Sequence, residues 1–356
     1  MSDAPASPLA RLGLRVPVVQ APMAGVSTPA MAAAVCEAGA LGSIAIGAND
    51  VAAARAMIDE VRARTTRAFN VNVFAHRPAV ADAARERAWL AGLAPAFARF
   101  GAAPPAALRP VYRSFVEDEA MAAMLVEAAP PVASFHFGLP PAPVLAALRA
   151  RGVTLFATAT SLEEARLVEA AGIDAVVAQG IEAGGHRGTF DPAAPDAALG
   201  TLALTRLLVR QTRLEVIAAG GIMDGAGVAA ALDLGAVAAQ LGTAFIVCDE
   251  SAADPAYRAA LVGPGGRRTT MTTLISGRPA RALANRFTAL ADDLAGLTPP
   301  DYPIAYDAGK ALDAAARGRG EHGFGAQWAG QGAPLARAMP AARLVETLRD
   351  ELARAR

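Results

Sequence analysis

The chain has 356 residues, which suits one α/β barrel of about 250 residues plus a smaller appendage. Apolar residues make up 54% and charged residues 19%, so global disorder is excluded and a sizeable core is available. The 33 basic and 33 acidic residues cancel, which argues against a nucleic acid held by overall charge. The alanine-rich stretches are broken before the roughly 18 apolar residues that a membrane span requires.

In chain order, short β-like runs alternate with alanine-rich helical stretches. Residues 16–23 (VPVVQAPM) read as a strand and 29–38 as the helix after it; 41–47 is the second strand and 51–64 its helix. Residues 68–74 form the third strand, with helical patterns near 80–100 and 116–128 before a fourth at 131–138. A fifth strand spans 154–159, and Ser161 followed by Glu164 signals a capping box at the next helix. Runs at 175–180, 215–221 and 237–245 complete a series of eight. Eight apolar strands alternating with helices imply a parallel sheet covered by helices, and the number points to an α/β fold of the (β/α)8 TIM barrel type. A doubly wound open sheet is the alternative. The barrel is expected over 1–249, a small helical lid or substrate domain on its rim over 250–335, and an amphipathic closing helix within 336–356 that packs on the barrel.

The first ten residues lack a basic start followed by an apolar run, so a cytoplasmic protein without a secretory leader is expected. Cys36 and Cys248 are far apart with no CxxC pair or Cys/His cluster, which suggests no disulfide framework and no metal site. Lys310 is the only lysine. Bias towards arginine is the simple explanation; a position that needs a compact ammonium is the sharper one.

Barrel enzymes work at the C-terminal ends of their strands. Strand one ends in Gln20 to Gly25, including Pro22, Met23 and Ala24; strand three carries Asn70 and Asn72; strand four ends in His136 and strand six in Gln179. Strand seven ends in Gly220-Gly221, and strand eight in Gln240-Leu241-Gly242-Thr243. Each amide both donates and accepts, so several at strand ends suit a flat, neutral, hydrogen-bonding ligand such as a flavin ring; loop-tying is the simpler use of any one of them. The glycines after strands seven and eight stand where this fold often binds phosphate, although tight turns also need glycine. No GxGxxG follows the first strand, so a dinucleotide fold is not supported. In the segment from Gln179 to Gly188, Gly184 and Gly185 precede His186, a natural base near neutral pH; a surface histidine between glycine turns is the alternative. His136 is a second candidate, with core packing as its alternative. His76 and His322 lack such a setting.

The motifs QAPMAG (20–25), NVNVF (70–74), SFHFGLP (134–140), AQGIEAGGHRG (178–188), AAGGI (218–222) and QLGTAF (240–245) occur in this order. With ALANRF (282–287), AYDAGK (305–310) and QWAGQ (327–331) they resemble the nitronate monooxygenase family of FMN enzymes across nearly the whole chain. The resemblance implies FMN held by Asn72, Gln179, Gly184, Gly221 and the run from Gln240 to Thr243, with Met23 and its neighbours along the ring. Gly221, Gly242 and Thr243 would be nearest the phosphate, and His186 matches the catalytic histidine. His136 and Lys310 are further candidates for substrate contact. SFHFGLP and AYDAGK look like the branch that oxidises alkyl nitronates, such as propionate 3-nitronate, with O2 and no nicotinamide. The products would be a carbonyl compound and nitrite. The alternatives are an NAD(P)H-dependent FMN reductase acting on quinones or enoyl thioesters, or a catalytically silent flavin-binding protein. Some of those reductases carry a lysine on the fifth strand, where TLFATA has none. A monomer or homodimer is expected.

Overall fold

Burial on both faces is what makes the predicted strands read as continuous apolar runs, and the observed strands are buried in that way. The computed structural model describes residues 8–356; the leader expectation falls mostly on residues 1–7, outside the described residues. In chain order the strands are β1 (Val18–Gln20), β2 (Gly42–Ala45), β3 (Phe69–Phe74), β4 (Val132–His136), β5 (Thr154–Ala159), β6 (Ala175–Gln179), β7 (Gly185–His186), β8 (Glu215–Ala219), β9 (Ala238–Leu241), β10 (Thr269–Thr272) and β11 (Ala280–Leu283). All but β7, β10 and β11 form one parallel sheet in the order β1-β9-β8-β6-β5-β4-β3-β2. The ring closes through one bridge, Val19 to Leu41: Leu41 N–H donates to the Val18 carbonyl at 2.9 Å, and Gln20 N–H to the Leu41 carbonyl at 2.9 Å. This is the (β/α)8 barrel that the alternation implies.

Two strands are shorter than their apolar patterns. Pro17 and Pro22 bracket β1, and neither has an N–H to give to a ladder. At β9, Gly242 leaves the extended conformation and a short 3-10 turn, Thr243–Phe245, follows.

Alternation along the strands sorts the barrel interior into two tiers. The lower tier is apolar: Val19, Leu41, Val132, Phe156, Ala175, Ile217 and Ala238 pack together, with Leu9 beneath them. Leu9 N–H donates to Glu215 Oε2 at 2.9 Å, fixing the floor to the start of β8. The same inward faces continue upward into Asn72, Ser134, His136, Thr158 and Gln179. The site is therefore the polar upper tier of an otherwise apolar barrel.

Outside, the helices bury one stripe each against the sheet. Thr28, Asp50, Asp118, Ser161, Asp224 and Asp254 each accept an N–H of the first turn of the helix they precede. The capping box is realised only in part. Ser161 accepts from Glu164 N–H at 3.2 Å, but the Glu164 carboxylate reaches past Ser161 to Thr160 N–H and also holds Phe190 N–H at 2.7 Å. Gly42 lets the helix Pro29–Ala38 lie directly on β2, since a Cβ there would stand 2.0 Å from the Ala32 carbonyl oxygen.

Residues 250–335 hold the helices Pro255–Val262 and Ile304–Arg317, but also the antiparallel pair β10–β11, which the sequence pattern did not signal. β11 in turn pairs with β7, aligning Ala280 with His186 and Arg281 with Gly185. The closing helix, Ala341–Ala355, buries Leu344, Val345 and Leu348 and packs on the helices Pro29–Ala38 and Gly225–Asp233. No helix among the described residues is long and apolar enough to cross a membrane.

Candidate active site

A cavity of ≈ 490 Å³ opens at the C-terminal ends of the strands, within the usual range for ligand pockets. Pro22, Met23, Ala24, Asn72, Gln179, Gly184, Gly185, Gly220, Gly221, Gln240, Gly242 and Thr243 all line it, as do His136, His186 and Lys310. The exception among the expected residues is Leu241. It alternates with Gln240 and Gly242, so its side chain turns outward into the core between sheet and helices, and only its carbonyl, which accepts from Ala21 N–H at 2.8 Å, faces the rim loop.

His186 is delivered by a loop pinned at several points. The Gln179 side chain donates from Nε2 to the His186 carbonyl at 3.0 Å and accepts from Gly188 N–H at 2.7 Å. Gln179 thus lines the cavity with its amide already committed to the loop. Arg187 is buried, paired with Asp196 at 2.7 Å, and donates to the Gln179 carbonyl. Asp196 is held below the usual carboxylate range by that hydrogen bond. A Cβ at Gly188 would stand 2.6 Å from Thr158 and 2.9 Å from the His136 ring, so only glycine lets the loop lie this close. His136 Nε2 lies 3.2 Å from the His186 carbonyl, which can only accept; Nε2 therefore carries the proton, and Nδ1 accepts from the Thr158 hydroxyl at 3.0 Å. With both nitrogens engaged, His136 supports the His186 loop.

Around the His186 imidazole stand Trp328, Tyr302, Phe137 and Tyr306, with ring centroids at 4.9, 5.1, 5.7 and 6.3 Å. Its Nε2 lies 2.9 Å from Ser276 Oγ. Phe137 holds a positive φ of 75°, costly for a bulky side chain, and the buried Arg278 guanidinium lies over its ring at 4.2 Å. Burial lowers the His186 pKa well below its ordinary value, and the positive charge of Arg278 lowers it further. His136 is pushed down to about 4, chiefly by burial. His76 is also pushed down to about 4 by burial and Arg278, and it packs edge-on to Tyr302 at 5.0 Å. His76 therefore belongs to the wall behind the site rather than to the surface. Burial raises the Tyr306 hydroxyl to about 12 and drives Tyr112, Tyr257 and Tyr302 upward, so all four stay protonated.

Phe137, Ser276, Arg278, Tyr302, Tyr306 and Trp328 are the members of this cluster that strand-end reasoning missed. Tyr306 and Trp328 lie within the motifs AYDAGK and QWAGQ, but an aromatic in an irregular segment gives no sign of the wall it joins.

The residues present fit a flavin. Asn72 donates from Nδ2 to the Ser134 hydroxyl at 2.9 Å and carbonyl at 3.1 Å, leaving its Oδ1 without a donor among the described residues, and the Gln240 amide borders the cavity. Gly220 and Gly221 adopt φ of 130° and 70°, which opens their backbone towards the cavity in a turn that L side chains rarely adopt. A Cβ on Gly242 would stand 3.7 Å from Met23 Sδ, narrowing the cavity where these two walls meet. Neutral donors and acceptors on one wall and glycine turns on another are what a flat heterocycle with a phosphate tail requires.

The family model described as nitronate monooxygenase matches residues 7–351. The chain is 62% identical over 341 residues to a nitronate monooxygenase of Paraburkholderia phytofirmans, covering 96% of this chain and 93% of the relative. It is 59% identical over 343 residues to one of Pseudomonas aeruginosa, covering 96% and 97%. It is also similar to the crystal structure of a nitroalkane oxidase from Streptomyces ansochromogenes, with a TM-score of 0.90, 43% identity, and 98% and 99% of the two chains covered.

Proposed function

The chain belongs to the nitronate monooxygenase family, and from that premise we propose that its barrel-mouth cavity holds FMN and an alkyl nitronate side by side, with His186 over the reacting carbon. It is an enzyme with nitronate monooxygenase activity, turning a nitronate and O2 into a carbonyl compound and nitrite. Propionate 3-nitronate is the proposed test substrate of that class.

Asn72 and Gln240 would meet the ring's polar edge, while the backbone of Gly220, Gly221, Gly242 and Thr243 would meet the phosphate. When bound, the flavin supplies electron transfer from the nitronate and the reaction with O2. The protein supplies position and electrostatics. Phe137, Tyr302 and Trp328 exclude water from the His186 face. Because burial and Arg278 keep His186 uncharged, it is ready to accept the α-proton of a neutral nitroalkane, and the imidazolium so formed faces the nitronate just made. Arg278, held behind Phe137, sets a positive potential under an anionic substrate.

The observation that carries this reading is the His186 imidazole, ringed by Phe137, Tyr302 and Trp328, at the edge of a cavity of ligand-binding size. His186→Asn tests it: the purified variant is expected to keep its flavin and lose roughly 10²–10⁴-fold in kcat on a neutral nitroalkane. Unchanged turnover would remove His186 from the reaction.

A further inference from the structure

Ser276 lies in the turn between β10 and β11, is fully buried, and has no place in the strand-end logic of the barrel. Its Oγ touches two groups: His186 Nε2 at 2.9 Å, and the Arg278 carbonyl at 3.3 Å. A carbonyl can only accept, and a serine has one proton. With that proton given to the Arg278 carbonyl, the Ser276 oxygen is left to accept from the imidazole. His186 Nε2 must then carry the hydrogen, and Nδ1 must hold the free lone pair.

From this geometry we infer that Ser276 is the positioning residue of the active site, fixing His186 as its Nε2–H tautomer so that Nδ1 is the nitrogen that exchanges a proton with substrate. The inference rests on the reading of His186 as the base. Three features support the assignment. Nδ1 has no protein partner among the described residues, whereas Nε2 is fully occupied. The His186 carbonyl is held separately by Gln179 and His136, so backbone and ring are each fixed and the tautomer is the remaining freedom. The pairing of Ala280 with His186 in β11–β7 brings the Ser276 turn to the ring, which gives the β10–β11 hairpin a function in the barrel's chemistry. A base whose second nitrogen is held by a fixed partner keeps one orientation through turnover.

The test uses the FMN-loaded enzyme labelled with ¹⁵N-histidine. The chain has 4 histidines, so each imidazole can be assigned by a single substitution. The expected spectrum shows His186 with a protonated Nε2 and a bare Nδ1. In Ser276→Ala that pattern is expected to give way to a mixture, with kcat on a neutral nitroalkane reduced about tenfold and KM changed less than about twofold. Ser276→Thr, which keeps the hydroxyl, is expected to restore both. A protonated Nδ1 in the wild-type enzyme overturns the inference, and this readout stands even if Ser276→Ala fails to fold. A Ser276→Ala enzyme with unchanged spectrum and kcat overturns it as well. An inactive His186→Asn together with a protonated wild-type Nδ1 would leave the base assignment intact and reject only the tautomer. A fully active His186→Asn would remove the reading beneath both.

Discussion

Lys310 is the only lysine in the chain, and it borders the cavity with its ammonium 5.2 Å from the Tyr306 ring, in cation–π range. It is exposed, so its pull on a substrate is that of a screened surface charge, about 1 kcal/mol. Lys310→Met is therefore expected to raise KM about fivefold for a nitronate bearing a carboxylate and to leave an uncharged alkyl nitronate unaffected; equal effects on both would show that Lys310 does not read the carboxylate. Much of this scale was legible in the sequence. His186, the paired glycines and the amides stood at strand ends, where the barrel rule looks for chemistry. Two of the amides proved to tie loops: Gln179 holds the His186 loop, and Gln20 accepts from Ser43 N–H at 2.8 Å and donates to Ser27 Oγ at 2.8 Å. Ser276 and Arg278 were not legible, because what places them is a non-local strand pairing with no periodicity of its own.

The elements follow the sequence where one face decides them and depart from it where pairing is distant. The eight barrel strands and the helices between them are set by local apolar runs and side-chain caps. The β10–β11 hairpin is set instead by its pairing with the two residues Gly185 and His186, about a hundred positions earlier in the chain. The closing helix is the clearest locally written element: Leu344, Val345 and Leu348 recur on one face and are fully buried. Glu351 adds a tie, accepting from Gly225 N–H at 2.9 Å and pairing with Arg337 at 2.5 Å. Leu344→Ala is expected to cost about 2–4 kcal/mol in urea unfolding, since the helix cannot collapse into the space left between two neighbours. A loss below about 0.5 kcal/mol would mean that the helix is not part of the cooperative unit. Gly221→Ala addresses a different element, the turn after β8: its φ of 70° strains any Cβ, so weaker FMN retention is expected on gel filtration, with the barrel still folded by circular dichroism.

For the whole molecule, one buried and two partly buried histidines at the barrel mouth link stability to pH. His76 and His136 titrate near 4 when folded and His186 also lies well below 6.5, whereas each is near 6.5 when unfolded. Their folded pKa values are depressed, so below about 6.5 the unfolded chain binds more protons and stability falls as the pH drops towards about 4; above about 6.5 they contribute no slope. Urea midpoints are expected to fall between about pH 7 and pH 5, and His76→Phe should flatten the decline; a midpoint independent of pH would mean that these imidazoles are not held neutral. The barrel was within reach of the sequence because eight repeats of one local unit admit few closures. The aromatic wall around His186 was not, since its members come from three separate segments that only the tertiary fold unites. The central claim is that this barrel oxidises nitronates at a bound flavin without a nicotinamide. Its most direct test is oxygen uptake and nitrite release by the FMN-loaded enzyme with propionate 3-nitronate, with and without NADH. Rapid uptake and nitrite release without NADH is the expected result; no uptake with the nitronate, together with bleaching of the flavin by NADH under nitrogen, would contradict it.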